Sequence, residues 1–216
     1  MDMALPKNSA AAARRAKLDE MRRAEAARER RNKIITMAVC ALIFVVLAGA
    51  TTFFLFTVKG EEKKQEAIKK GPISGEKSWD KLTQNHVAQP VNYPMTPAVG
   101  GDHAQAWMNC NGDVYEKEVR QENAVHALEH GAVWITYTDK ATPDDIKSLG
   151  ERVKKTPYTL MSPHSKQDSP ITLSAWGKQL TVDSASDPRV NAFLTKYVQG
   201  PQTPEPGAAC TNGLSA

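Results

Sequence analysis

Between Ile34 and Val58 the chain has no charged residue across 25 positions. That absence excludes a helix on the surface of a soluble domain, which needs a polar face; here the hydroxyls of Thr36, Thr51, Thr52 and Thr57 are all it has. Fourteen of the 25 residues are Ile, Leu, Val or Phe, each favourable by about 0.3–0.6 kcal/mol near the centre of a membrane helix. A helix of this length reaches ~37 Å against ~30 Å of hydrocarbon, so the sequence predicts a transmembrane helix. A cleaved signal peptide is the alternative, with Ala48-Gly49-Ala50 as its small-residue site. The 33 residues ahead of the run, and its continuation through Phe53-Phe54-Leu55-Phe56, favour an uncleaved anchor.

Other absences are as informative. Residues 72–216 lack a basic excess, with 13 Lys and Arg against 16 Asp and Glu, so the net charge of +4 belongs to the tail and stalk and does not indicate a nucleic-acid partner. Histidine is missing from the first 85 residues, and all five lie at 86, 103, 126, 130 and 164. Cysteine is scarce: Cys40 falls in the apolar run, leaving Cys110 and Cys210 as the only pair beyond it. The chain has no internal repeat.

The charge balance orients the span. Residues 1–33 hold ten Lys and Arg against five acids, while Lys59 to Lys70 holds five Lys and three Glu. The positive-inside bias therefore predicts a cytoplasmic N-terminus and an extracytoplasmic C-terminal domain at the cell membrane. Arg28, Arg30, Arg31 and Lys33, next to the span, are expected to meet anionic lipid heads.

Four segments follow: a cytoplasmic basic helical tail at 1–33, the transmembrane helix at 34–58, a charged stalk at 59–78, and an extracytoplasmic domain at 79–216 that begins near Trp79. The last is long enough for one core. Pro90, Pro94, Pro97 and Gly100-Gly101 punctuate its first part, with a strand expected over Val87–Tyr93. Val119 to His130 reads as a helix stopped by Gly131, and Ala132 to Tyr137 as a buried strand. Thr142-Pro143-Asp144-Asp145 starts a second helix, running to about Lys155. Tyr158–Met161 and Ile171–Trp176 read as strands, Lys178–Val182 as a hairpin extension, and Asp187-Pro188 opens a last helix. This order predicts an α+β fold, a small sheet with helices on one face, preceded by the single transmembrane helix and the charged cytoplasmic helix.

His126 and His130, four apart on a helix, project from one side, nearly opposite the apolar stripe of Ala124, Val125 and Leu128. They form either a solvent-exposed pair or half of a metal site covered by the loop-rich segment. Gly100-Gly101-Asp102-His103 is a turn able to bring a third imidazole close, and Met108 adds a soft thioether. The candidate metal ligands are His103, His126, His130 and Met108, with His86 and Met161 behind them. Imidazole with thioether outside the cell suits copper ahead of zinc. Met108 also reads as a gap-filler beside Trp107, and His164 as a loop-surface residue. Glu129 and Glu122 flank His126 and are expected to orient its ring.

Cys110 and Cys210 read as a disulfide closing a loop of about 100 residues, a contribution of roughly 4–5 kcal/mol; a copper thiolate at Cys110 is the rival. His126-Ala-Leu-Glu129-His130 also spells the inverted zinc-peptidase pattern, with Glu129 as general base. That chemistry needs a third ligand on a later helix, and the late acids Asp183, Asp187 and Glu205 sit at a turn, a helix start and a proline-rich tail. No residue is assigned a catalytic role.

Asn85-His-Val, Tyr93-Pro, Gly100-x-x-His103, Trp107, Gly112-x-x-Tyr115, Glu122 through Val133 and Ala175-Trp-Gly177, with the closing Gly200 to Cys210, resemble a membrane-anchored actinobacterial family of unknown function, DUF3105. The His-Ala-Leu-Glu-His-Gly core carries most of the likeness. The resemblance implies a membrane-tethered outer domain in an actinobacterium and no defined activity, and the family pattern includes histidines at the positions of His86, His103, His126 and His130. The sequence thus predicts a copper-binding outer domain, free-standing or as an accessory subunit of a respiratory cytochrome bc–oxidase complex. The alternatives are a purely structural subunit and a zinc hydrolase.

Overall fold

A computed structural model describes residues 7–215, with side chains described from Ala12 onward; the first six residues of the predicted tail lie outside that range. The chain divides into two compact units, one through Glu62 and one from Lys63 onward.

Helix α1 spans Lys7–Lys70 without a break, so the predicted tail helix, the span and the stalk as far as Lys70 are one helix, while the rest of the predicted stalk, 71–78, is not helical. Ala, Arg, Glu and Lys favour helix on both sides of the apolar run, and the single glycines at 49 and 60 cost only about 1 kcal/mol each. The apolar side chains are uncovered, up to 80% exposed at Phe56 and 75% at Phe44. Thr51 donates its hydroxyl to Leu47 O at 3.0 Å, Thr52 to Ala48 O, and Thr57 to Phe54 O at 2.8 Å, so these polar groups are satisfied inside the helix. Among the described residues this is the one helix long and apolar enough to cross a membrane.

The second unit carries β1 (Lys77–Ser78), β2 (Asn111–Val114), α2 (Gln121–Glu129), β3 (Val133–Tyr137), α3 (Pro143–Val153), β4 (Thr159–Pro163), β5 (Ile171–Ala175), β6 (Lys178–Val182) and α4 (Pro188–Tyr197). The strands form one sheet in the order β1-β6-β5-β3-β4-β2. β4 pairs parallel with both β3 and β2, and the remaining pairs are antiparallel. The parallel β3–β4 pair needs a crossover, which α3 supplies. Thr142 caps α3, accepting the Asp145 N–H at 3.1 Å, and Asp145 in turn accepts the Ala185 N–H at 2.7 Å. Asp187 caps α4 through the Arg189 N–H at 2.9 Å.

The fold is α+β, as the element order predicts. Strand alternation divides the core into two layers. Val133, Ile135, Met161, Leu173 and Leu180 face one layer with Leu149 and Val153 of α3 and Val190, Phe193 and Leu194 of α4. Trp134 and Leu160 face the other, with Ala124, Val125 and Leu128 of α2. The helices therefore lie on both faces rather than one: Trp134, fully buried, needs a cover on its own side, and α2 with the loops around it provides one.

Two further expectations change. Val87–Tyr93 is not a strand; Pro90 and Pro94 offer no N–H, and the pairing there is a single bridge between His86 and His103. The folded part begins ahead of Trp79, since Ile73 is buried in the first layer and Lys77–Ser78 pair with β6.

Candidate metal centre

α2 is buried along its length from Glu122 to Glu129. Of the two readings of the His126–His130 pair, the covered one holds, because residues 85–108 lie across the face carrying His126. Backbone carbonyls set the rings. The Gly100-Gly101 turn, at φ +148° and +110°, places Gly101 O 2.8 Å from His103 Nδ1. Ala104 O lies 2.7 Å from His126 Nδ1, and Ala209 O 2.7 Å from His130 Nδ1. In each case Nδ1–H donates, which leaves Nε2 of the neutral ring as a free lone pair, the arrangement metal-binding histidines use.

Three rings and a carboxylate converge. One ligand atom from each of His86, His103, His126 and Glu129 lies within 4.8 Å of the others. His86 stacks on His126 at 4.8 Å between centroids, and His103 meets both edge-on at 4.9 Å. The side chains of His103 and Glu129 are 0% and 3% exposed, while that of His86 is 44% exposed and closes the group from the solvent side. An ion held tetrahedrally at about 2.0–2.2 Å needs ligands about 3.4 Å apart. The 4.0 Å between His86 Nε2 and Glu129 Oε2 must therefore shorten while the 2.9 Å between His103 Nε2 and Glu129 Oε2 opens slightly, and the exposed His86 is the one with room to move.

The charge arrangement is one that a cation can satisfy. His103 Nδ1 faces a carbonyl, and Nε2 lies 2.9 Å from Glu129 Oε2, also an acceptor. A neutral imidazole has one N–H and cannot serve both. That second contact also falls outside hydrogen-bond geometry, leaving a buried Nε2 without a partner. Burial pushes the Glu129 carboxyl up, with His103 opposing and Glu205 adding to the rise. Burial likewise holds His126 down to about 4, despite its bond to Ala104 O and with the neighbouring histidines lowering it further, so the ring is neutral and able to bind a metal near pH 7. Three imidazoles with one carboxylate match the donor sets that hold zinc or copper.

Residues 86–212 match the family described as Protein of unknown function (DUF3105). The chain belongs to this family. No curated protein and no solved structure matches it. The matched stretch of the DUF3105 domain contains the four converging residues and both paired cysteines.

Several predicted site residues take other places in the DUF3105 domain. Glu129 is a member of the group rather than a partner that orients His126; the Ala104 carbonyl does that. Glu122 holds the covering loop, accepting the Val91 N–H and the Arg120 Nε–H, each at 2.9 Å. His130 stands beside the group, 4.6 Å from the His126 ring, with Nε2 3.7 Å from Glu205 Oε2. This separates the two histidines of the peptidase pattern. Met108 is buried in the α2 layer, and Met161 lies in the opposite layer, on the far side of the sheet. Cys110 and Cys210 form a disulfide, so Cys110 is not a thiolate. Nothing in the spacing signalled the promotion of His86, which depends on the loop returning over α2.

His164 is not on the surface. It is 3% exposed, beside Trp134, and neither ring nitrogen has a hydrogen-bond partner. Burial lowers its pKa, with Glu118 opposing and Lys166 reinforcing. The folded state keeps this ring neutral, while the unfolded chain takes up a proton near pH ~6.5. Stability is therefore full above that pH and declines as pH falls toward the depressed folded value. Urea denaturation of metal-free protein should show a lower midpoint at pH 5 than at pH 7.5. His164→Gln should shrink the difference without removing it, because His126 acts in the same direction; an unchanged pH slope would show that His164 contributes nothing.

Proposed function

We propose that this is a single-pass membrane protein, N-terminus in the cytoplasm, whose outer domain binds and exchanges a copper ion through His86, His103, His126 and Glu129. The reading rests above all on the buried His103 Nε2 facing the Glu129 carboxylate without a hydrogen bond. With no thioether in the group, the donor set favours Cu(II), which leads the divalent series at nitrogen and oxygen sites. The exposed ring of His86 supports an exchangeable ion over a sealed structural one. The disulfide supports an oxidising compartment, and the charge asymmetry around the span supports the orientation. An actinobacterial membrane and a role beside a respiratory oxidase, as copper carrier or accessory subunit, fit this address.

The test is metal analysis of the full chain purified in mild detergent, dialysed against limiting Cu(II) and Zn(II) together. One equivalent of copper should be retained by the wild type and lost in His126→Ala, with tryptophan fluorescence confirming that the variant is folded. Zinc retained in place of copper, with peptidase activity lost in Glu129→Gln, would replace this reading by the hydrolase. Absence of any bound metal would leave the structural subunit.

A further inference from the structure

Beside the four converging residues lies a second pair of donors that the inner group does not use. His130 is the C-cap of α2, one residue beyond Glu129. Its Nδ1–H is committed to Ala209 O, so Nε2 presents a lone pair. That nitrogen is 3.7 Å from Glu205 Oε2, on a side chain 53% exposed, whereas the side chain of His130 is 5% exposed. The separation is too long for a direct hydrogen bond. It is the spacing of two ligands about 2.1 Å from one ion, subtending an angle of roughly 120°.

The position adjoins the inner group. The His130 and His126 rings meet edge to face at 4.6 Å, and the Trp107 ring lies against both, 5.0 Å from His130 and 5.5 Å from His126. The Glu205 N–H donates to Glu129 O at 3.1 Å, so the segment carrying the outer carboxylate is tied to the residue carrying the inner one. Two ligands at a half-open edge hold an ion more weakly than the four of the adjoining group, which is the order an entry route requires.

We propose that His130 and Glu205 form a second, outer cation position through which a divalent transition-metal ion passes between solvent and the inner group. This rests on the metal reading of that group. Glu205 attracts the ion at the surface, His130 takes it up through Nε2, and His126, one helical turn back, receives it. The ion keeps its charge throughout and only exchanges ligands, so no electron is transferred.

The test uses the full chain in detergent with Cu(II) as the probe, followed by quenching of tryptophan fluorescence, to which Trp107 beside both positions should contribute. The wild type should bind one tight and one weak equivalent. Glu205→Gln should lose the weak equivalent and slow loading of the tight one about tenfold, as expected when a charge that concentrates ions at a cleft is removed. His130→Asn, whose amide preserves the donor to Ala209 O and removes Nε2, should do the same. Wild-type loading rate and stoichiometry in both variants would overturn the outer position while leaving the inner site standing. A wild type that binds no copper at all would overturn both readings.

Discussion

Replacing Glu129 by Gln should raise the stability of the metal-free protein while cutting its affinity for the cation by roughly 100-fold or more. The two signs have one cause. A carboxamide keeps the volume of the buried side chain and offers an N–H where the carboxylate now sets an acceptor against the unpartnered His103 Nε2. Satisfying a buried orphan is worth about 1–2 kcal/mol, or a few degrees in melting temperature. The same change removes the only carboxylate of the group proposed to hold the ion, a larger loss than the 10–100-fold typical of changes to residues that merely orient ligands. The stability sign separates two accounts. If His103 and Glu129 were a structural ion pair, breaking it would destabilise the fold by about 3–5 kcal/mol. Thermal melts with chelator and copper titrations, both on the full chain, read the two quantities. A melting temperature that falls, with copper binding unchanged, would refute the metal centre.

Replacing Cys110 and Cys210 together by Ala should destabilise the domain by about 4–5 kcal/mol, since the bridge closes a separation of 100 residues. That is a large part of the ~5–15 kcal/mol a domain has. The site should weaken as well, because the bridge holds the tail against it. Cys210 O accepts the Cys110 N–H at 2.8 Å, Ala209 O accepts His130 Nδ1–H at 2.7 Å, and the Glu205 N–H reaches Glu129 O at 3.1 Å. The glycine at 131 permits the approach: at φ +93° it ends α2, and a Cβ there would run into the side chains of Gln199 and Thr203. Urea denaturation of the double variant, compared with oxidised wild type, gives the stability term, and a copper titration gives the affinity. A shift under 1 kcal/mol would mean that the tail is held by its hydrogen bonds alone.

Much of this fold was readable because its signals are local. Thr142-Pro143 and Asp187-Pro188 are cap-and-proline pairs, and both open helices where expected. Ala132 to Tyr137 and Ile171 to Trp176 are β-rich runs with defined ends, and both contain strands within a residue of those limits. The failures fall where the partner is remote. Val87–Tyr93 has a strand-like composition and finds no neighbour beyond the His86–His103 bridge. β1 is two charged and polar residues whose strand character comes entirely from β6, a hundred residues on. His164 follows a proline in a polar stretch, and only the packing beside Trp134 buries it.

The same division runs through the function. An uninterrupted apolar run, an i,i+4 histidine pair and a lone pair of cysteines are properties of the chain in one dimension, and the sequence alone determined the long apolar helix, the α+β class and which residue types are available as ligands. Which of them meet depends on the path of the loop over α2. That path is set by proline and glycine placement, by the disulfide, and by the carbonyls of Gly101, Ala104 and Ala209 taking one nitrogen from each of three rings. Tertiary structure therefore moved His86 ahead of Met108 and His130 among the candidates, drew Glu129 into the group and set His130 beside Glu205. A ligand set is a matter of a few ångströms between residues dozens of positions apart, and no spacing along the chain encodes that distance.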